Sequence, residues 1–188
     1  MSARVGILGY QGCIEPHERL FQTLGAETCR VRTWEELATV DRLVLPGGES
    51  SAMLRFITMH GLAQPLQEFA KIKPVWGICA GAILLAHDVH HPQQDSLKLI
   101  NISAHRNFYG SQLNSFSSSL TIKGLADPIT AKFIRAPLLS PAQGLTAPNV
   151  LACLDNQPVV FAQDTIWACS FHVELGDDTA LHELFLRQ

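Results

Sequence analysis

The stretch Gly77-Ile78-Cys79-Ala80-Gly81, set between the apolar runs Pro74-Val75-Trp76 and Ala82-Ile83-Leu84-Leu85-Ala86, constrains this chain more than any other. It reads as a strand that reverses sharply into a helix. The turning residue of such an elbow is held in a strained conformation, and glycines on either side let neighbouring backbone pass without a Cβ clash. A cysteine at the turn stands above the sheet edge, where the first amides of the helix favour a thiolate and later an oxyanion. Read alone, the pentapeptide also fits a small buried cysteine packed beside a glycine-rich turn.

The flanking pattern sets the fold class. Short apolar runs at Arg4 to Gly9, Glu27 to Val31 and Arg42 to Leu45 alternate with amphipathic segments at Pro16 to Leu24, Ala52 to Met59 (capped by Ser50) and Leu62 to Ala70. Alternation of this kind predicts an α/β fold with a mostly parallel central sheet between helices. Ligands of such sheets sit at the carboxyl ends of the strands. Three loops fall there: Tyr10-Gln11-Gly12, Pro46-Gly47-Gly48-Glu49-Ser50 and the Cys79 elbow. From about Leu97 the strand-like runs close up (Leu97 to Ile102, Leu120 to Ile122, Ala131 to Ile134, Val150 to Leu154, Val159 to Ala162, Ile166 to Ser170), which predicts an antiparallel extension of the sheet. Asp177-Asp178 opens a closing helix, Thr179 to Arg187. Asn114 to Ser119 reads as a hairpin tip and His87 to Gln94 as an exposed loop.

Composition narrows the function classes. The 188 residues suit one domain, 1–188, and 14 basic against 17 acidic residues give a formal charge of −3 with no basic stripe for a phosphate backbone. Nucleic-acid binding is not expected. No apolar stretch reaches the roughly 18 to 20 residues that cross a bilayer. Five cysteines, an odd number without CxxC spacing, and an N-terminus that enters a strand-like run predict a cytoplasmic protein with reduced thiols. Cys13, Cys29, Cys153 and Cys169 lie in apolar or strand-like surroundings that suit structural roles. His87-Asp88-Val89-His90-His91 lacks a second cluster at ligand spacing and reads as solvated, not as a metal site.

A nucleophilic thiol needs a base and a group to orient it. Phe171-His172-Val173-Glu174 offers both, because residues i and i+2 of extended chain point to the same side. A His-x-Glu pair alone is also a common surface feature. Its significance comes from its joint occurrence with the elbow.

Cys79 in its elbow, the Leu45-Pro46-Gly47-Gly48-Glu49-Ser50 loop and the His172-x-Glu174 pair together resemble the class I glutamine amidotransferases. Tyr10-Gln11-Gly12, Arg106-Asn107 with Gly110 and Gln112, Phe133-Ile134-Arg135-Ala136-Pro137 and Glu174-Leu175-x-Asp177-Asp178 are similar to the glutaminase subunits of pyridoxal 5'-phosphate synthases. The likeness spans about Val5 to Asp178. It implies a three-layer, flavodoxin-like fold with an antiparallel extension, and hydrolysis of L-glutamine to glutamate and ammonia through a glutamyl thioester. Cys79 would then be the nucleophile, His172 the base and Glu174 its holder. The backbone N–H groups of Gly48 and Ala80 would form the oxyanion hole. Gly48, Glu49, Ser50, Arg106, Ile134 and Arg135 would bind the substrate, and Gln11 would sense a synthase partner that receives the ammonia. The resemblance implies no metal and no organic cofactor.

Three positions depart from the family pattern. Val173 replaces a proline between the His and Glu, Ile78 replaces a threonine before the nucleophile, and Ser111 replaces the second arginine of the Arg106–Gln112 segment. The first leaves the i, i+2 geometry available, so activity is expected to survive; the third alters the substrate rim or partner contact. Two rival readings stand beside this one: the glutaminase subunit of imidazole glycerol phosphate synthase, against which the Phe133–Pro137 segment argues, and a noncatalytic adaptor of the synthase, against which the retained Cys79, His172 and Glu174 argue.

Overall fold

The computed structural model describes residues 3–106 and 115–188. Its centre is a seven-stranded sheet built from β1 (Arg4–Leu8), β2 (Glu27–Val31), β3 (Arg42–Leu45), β4 (Val75–Ile78), β10 (Asn149–Leu154), β11 (Gln157–Gln163) and β12 (Ile166–Cys169), in the order β10-β11-β12-β4-β3-β1-β2. From β2 to β12 neighbouring strands pair in parallel; β11 pairs antiparallel to both β12 and β10. The class I amidotransferase-like architecture expected from the sequence, with its antiparallel extension, is thus present.

Strand periodicity produces the layers. Along β3, Leu43 and Leu45 enter one hydrophobic cluster and Val44 the opposite one. The first cluster is closed by α2 (Trp34–Ala38), α3 (Ser50–Met59), α4 (Ala63–Ala70) and α5 (Ala80–Leu85), through Leu37, Met53, Ile57, Leu66 and Phe69. The second is closed by α1 (Ile14–Thr23) and α6 (Ala180–Leu186), through Phe21, Leu181 and Phe185, which pack around Trp76 and Trp167. Each of these fully buried aromatic side chains contributes about 2–3 kcal/mol of transfer free energy.

Several expectations require correction. Only β10 and β11 extend the central sheet. The run at Ile166 is β12, which enters the central sheet parallel to β4, and the remaining strands form a three-stranded sheet of β5 (Ala86–His90), β6 (Ile100–His105) and β9 (Leu138–Pro141), and a separate pair of β7 (Phe116–Leu120) and β8 (Ile129–Phe133). The first half of the predicted loop, His87 to His90, is therefore strand, pairing in parallel with β6, and the second half, His91 to Gln94, is the loop expected. Of the predicted hairpin tip, Asn114 lies outside the described residues and Ser117 to Ser119 are strand, because pairing with β8 satisfies their backbone. Ser50 does not cap α3 but begins it. Glu49 is the cap, accepting from the Ser51 and Ala52 amides. Helix α2, held by a capping box between Thr33 and Glu36, and strand β9 were not anticipated.

Candidate active site

Three adjacent strands deliver the site. Gly47 and Gly48 follow β3, Cys79 follows β4, and His172 and Glu174 follow β12. Cys79 sits at φ 50°, ψ −100°, a left-handed conformation that costs a non-glycine residue about 1–3 kcal/mol. Packing enforces it. The Cys79 amide donates to the Cys169 carbonyl of β12 at 2.8 Å, and α5 begins at once with Ala80. The elbow read from the sequence is therefore present, at the N-terminus of a six-residue helix.

His172 is pinned by its backbone to Lys132 of β8, donating at 2.7 Å and accepting at 2.9 Å. Its Nδ1 lies 2.6 Å from Glu174 Oε1, and the thiols of Cys79 and Cys13 lie close enough to the ring to act on its charge. Val173, buried at 2% exposure, permits this dyad without a proline. Burial opposes a charge on His172, but the two thiols and the Glu174 carboxylate outweigh it and push the imidazole pKa well up. Glu174 is fully buried. Its burial is outweighed by the His172 hydrogen bond and by the pull that a proton on His17 or His172 exerts, which leave its pKa lowered to about 2. The pair is thus poised as carboxylate and imidazolium.

A cavity of about 520 Å³ opens over this group, lined in part by Gln11, Gly48, Glu49, Ser50, Cys79 and Ala80, together with Arg106, Ile134, Arg135 and His172. Every site residue expected from the sequence lines it except Glu174, which lies behind His172. Glu49 does double duty. It caps α3 and pairs with Arg106 Nη2 at 3.0 Å. Burial raises its pKa, but the Ser51 and Ala52 hydrogen bonds and the Arg106 charge leave it lowered overall. Arg106 Nη1 and Ser50 Oγ both donate to Gln94 Oε1 at 3.0 Å, a partner that no sequence motif singles out. Gln11 Oε1 accepts from the Glu49 amide at 3.3 Å, so its side chain lies across the glycine loop. Asn107 to Gln112, including Ser111, lie outside the described residues.

Cys13 corrects a sequence expectation. It was assigned a structural role, yet it lines the cavity and meets His172, because its amide donates to the Gly47 carbonyl at 2.9 Å and draws the first loop onto the third. The only sequence hint was its adjacency to Gln11-Gly12. Among the described residues, the one group placed to hold a metal ion is Cys13, His172 and Glu174, which coincides with this site; the His87–His91 stretch forms no such group. All five cysteines are free, and no helix among the described residues is long and apolar enough to cross a membrane.

Comparison with known proteins agrees with this geometry. The chain is 41% identical over 187 residues to the pyridoxal 5'-phosphate synthase subunit PdxT of Shouchella clausii, covering 98% of this chain and 94% of that protein. It is 44% identical over 184 residues to PdxT of Actinobacillus pleuropneumoniae serotype 3, with the same coverage. A crystal structure of a glutamine amidotransferase superposes with a TM-score of 0.90 at 34% identity, covering 97% of both chains. PurLQS from Thermotoga maritima, at 14% identity and TM-score 0.69, shares the fold. The profile match over residues 7–188 completes the case: the chain belongs to the SNO glutamine amidotransferase family.

Proposed function

We propose that this chain is the glutaminase subunit of a pyridoxal 5'-phosphate synthase, hydrolysing L-glutamine to L-glutamate and ammonia with Cys79, His172 and Glu174 as its triad. The observation that carries this reading is that one imidazole, His172, meets both the Cys79 thiol and the Glu174 carboxylate at the wall of an open cavity. Cys79 Sγ attacks the side-chain amide carbon while its proton resides on His172. The tetrahedral oxyanion is met by the backbone N–H groups of Ala80 and Gly48, each such donor lowering the barrier by about 3–4 kcal/mol. His172 returns the proton to the departing nitrogen as the C–N bond breaks, leaving a γ-glutamyl thioester and ammonia. Water, deprotonated by His172, then cleaves the thioester to glutamate. Glu174 holds the imidazole throughout.

Glu49, Ser50, Arg106, Ile134 and Arg135 form the rest of the glutamine site. Arg106 and Glu49 present the opposite charges that an amino-acid substrate's carboxylate and ammonium require. The ammonia passes directly to a synthase partner, since release into neutral water would protonate it and remove its nucleophilic lone pair. Gln11, lying on the glycine loop, is the contact through which partner docking reaches the oxyanion hole. Free thiols suit a reducing compartment, and we place the enzyme in the cytoplasm.

Glutamate release should be measured with and without a pyridoxal 5'-phosphate synthase subunit, with Cys79→Ala as the blank and binding of the subunit followed separately. Stimulated release that disappears in Cys79→Ala supports the reading. A chain that binds the synthase but releases no glutamate in either condition is an adaptor, and the proposal fails.

A further inference from the structure

Behind the triad lies a row of buried polar side chains that the proposed mechanism does not use. Glu174 presents Oε1 to His172, but its Oε2 has no hydrogen-bond partner among the described residues. His17 Nε2 of α1 lies 3.8 Å from it and is itself without a hydrogen-bond partner among the described residues. His17 Nδ1 is in turn 2.9 Å from His182 Nε2 of α6, and His182 Nδ1 has no partner among the described residues. Both histidines are fully buried, boxed by Trp76 against both rings and by Phe21 against His182.

Hydrogen-bond logic fixes the proton positions. Two neutral imidazoles sharing one hydrogen bond allow two arrangements. If His17 Nδ1 donates, His182 must carry its remaining proton on Nδ1, where nothing accepts it, and His17 must aim a bare Nε2 lone pair at a carboxylate. If His182 Nε2 donates, the unpartnered His182 Nδ1 is only a lone pair, and His17 carries its proton on Nε2, facing Glu174 Oε2. The second arrangement leaves the His17 Nε2–H without a hydrogen bond but aims it at a carboxylate oxygen 3.8 Å away, turning a repulsion into an attraction and leaving no proton on His182 Nδ1. Desolvation keeps both rings neutral, against the attraction of Glu174 for a proton on either. The titratable groups facing His17 are Glu174, His172 and His182, and Cys169 lies near Glu174.

We infer that His17 is a positioning residue of the triad: its Nε2–H, oriented by His182, faces the second oxygen of Glu174 and holds that carboxylate in the rotamer that accepts from His172 Nδ1. This rests on reading Cys79, His172 and Glu174 as the working triad. At 3.8 Å the contact is a charge–dipole contact in a dry, low-dielectric setting, where such contacts are strongest. The two helices covering one face of the sheet thereby support the catalytic edge from behind.

The tautomers can be read in the wild-type chain from imidazole ¹⁵N shifts. The expected result is a protonated Nε2 and bare Nδ1 on His17; a His17 protonated on Nδ1 overturns the inference. This measurement does not depend on turnover, so it stands apart from the triad reading, which fails separately if Cys79→Ala still releases glutamate. The second arm is kinetic, with the synthase subunit present. His17→Phe should lower kcat about tenfold at unchanged KM for glutamine, and should shift the pH profile of Cys79 alkylation to higher pH, because a loosened Glu174 stabilises the imidazolium less. His17→Gln, which can place an N–H where Nε2 was, should restore most of both. Equal losses in the two variants, or an unshifted alkylation profile in His17→Phe, would show a merely structural role. Should His17→Phe not fold, His182→Phe replaces it, with a smaller loss in the same direction expected and no change overturning the inference.

Discussion

Gly81 of α5 crosses Leu45 at the end of β3 so closely that a Cβ on Gly81 would come within 1.9 Å of the Leu45 carbonyl oxygen. The contact is backbone on both sides, so no side-chain rotation relieves it. Intrinsic propensity favours alanine over glycine in a helix by about 1 kcal/mol. Here the sign reverses. Gly81→Ala should destabilise the fold by about 3 kcal/mol or more, as overpacking against rigid backbone does. Urea unfolding measures this, and a neutral or stabilised variant would contradict the packing described.

Gly47 stands against the catalytic imidazole instead. A Cβ there would lie 2.3 Å from His172 Cε1, and the Glu174 and Lys132 contacts leave that ring little freedom to retreat. Gly47→Ala should therefore reduce glutaminase kcat about a hundredfold by displacing the base. The clash should also lower stability by about 1–3 kcal/mol, while synthase binding persists. Activity measured well below the unfolding midpoint, with the bound synthase as a control, separates the displaced base from general damage.

Acidification should weaken the fold through His17. Unfolded, this group titrates near 6.5; in the folded chain burial lowers its pKa to about 4. Between those values the unfolded chain binds a proton that the folded chain does not, so stability falls as pH drops through this window. The displacement corresponds to about 3 kcal/mol, and His182 is shifted in the same direction. His172, whose pKa is raised, contributes stability that is lost only as pH climbs above 6.5, so it leaves the window unaffected. Urea unfolding at a series of pH values should show the slope, and His17→Phe should flatten it.

Arg106 gives a contrasting case. Its pair with Glu49 is partly exposed, and such pairs contribute little to stability. Arg106→Met should raise KM for glutamine about tenfold while shifting the unfolding midpoint by no more than about 2 °C. A large loss of stability with unchanged KM would place Arg106 in the scaffold and not at the substrate.

The elbow and the His172–Glu174 pair were legible because local rules write them: glycines where backbones touch, and i, i+2 spacing where two side chains must meet. The same holds for β2 and β3, whose bounds the sequence located to the residue. Residues whose role depends on distant partners were hidden. His17 and His182 are 165 positions apart and look locally like polar interruptions of helical faces. Cys13 resembles any small apolar residue until the Gly47 carbonyl draws it in. Ser117 to Ser119 carry none of the β-branched or aromatic signal of a strand, and only pairing with β8 makes them one. The division of the late strands into separate sheets likewise depends on which edges find partners, which short apolar runs do not encode.

The sheet order also fixes when the enzyme can begin to exist during synthesis. Strand β4 finds β3 soon after it emerges, but its other edge waits for β12, and the base arrives only with His172, after the chain has built two further sheets. A nascent chain therefore carries its nucleophile long before its base, and the two meet only in the event that closes the centre of the sheet.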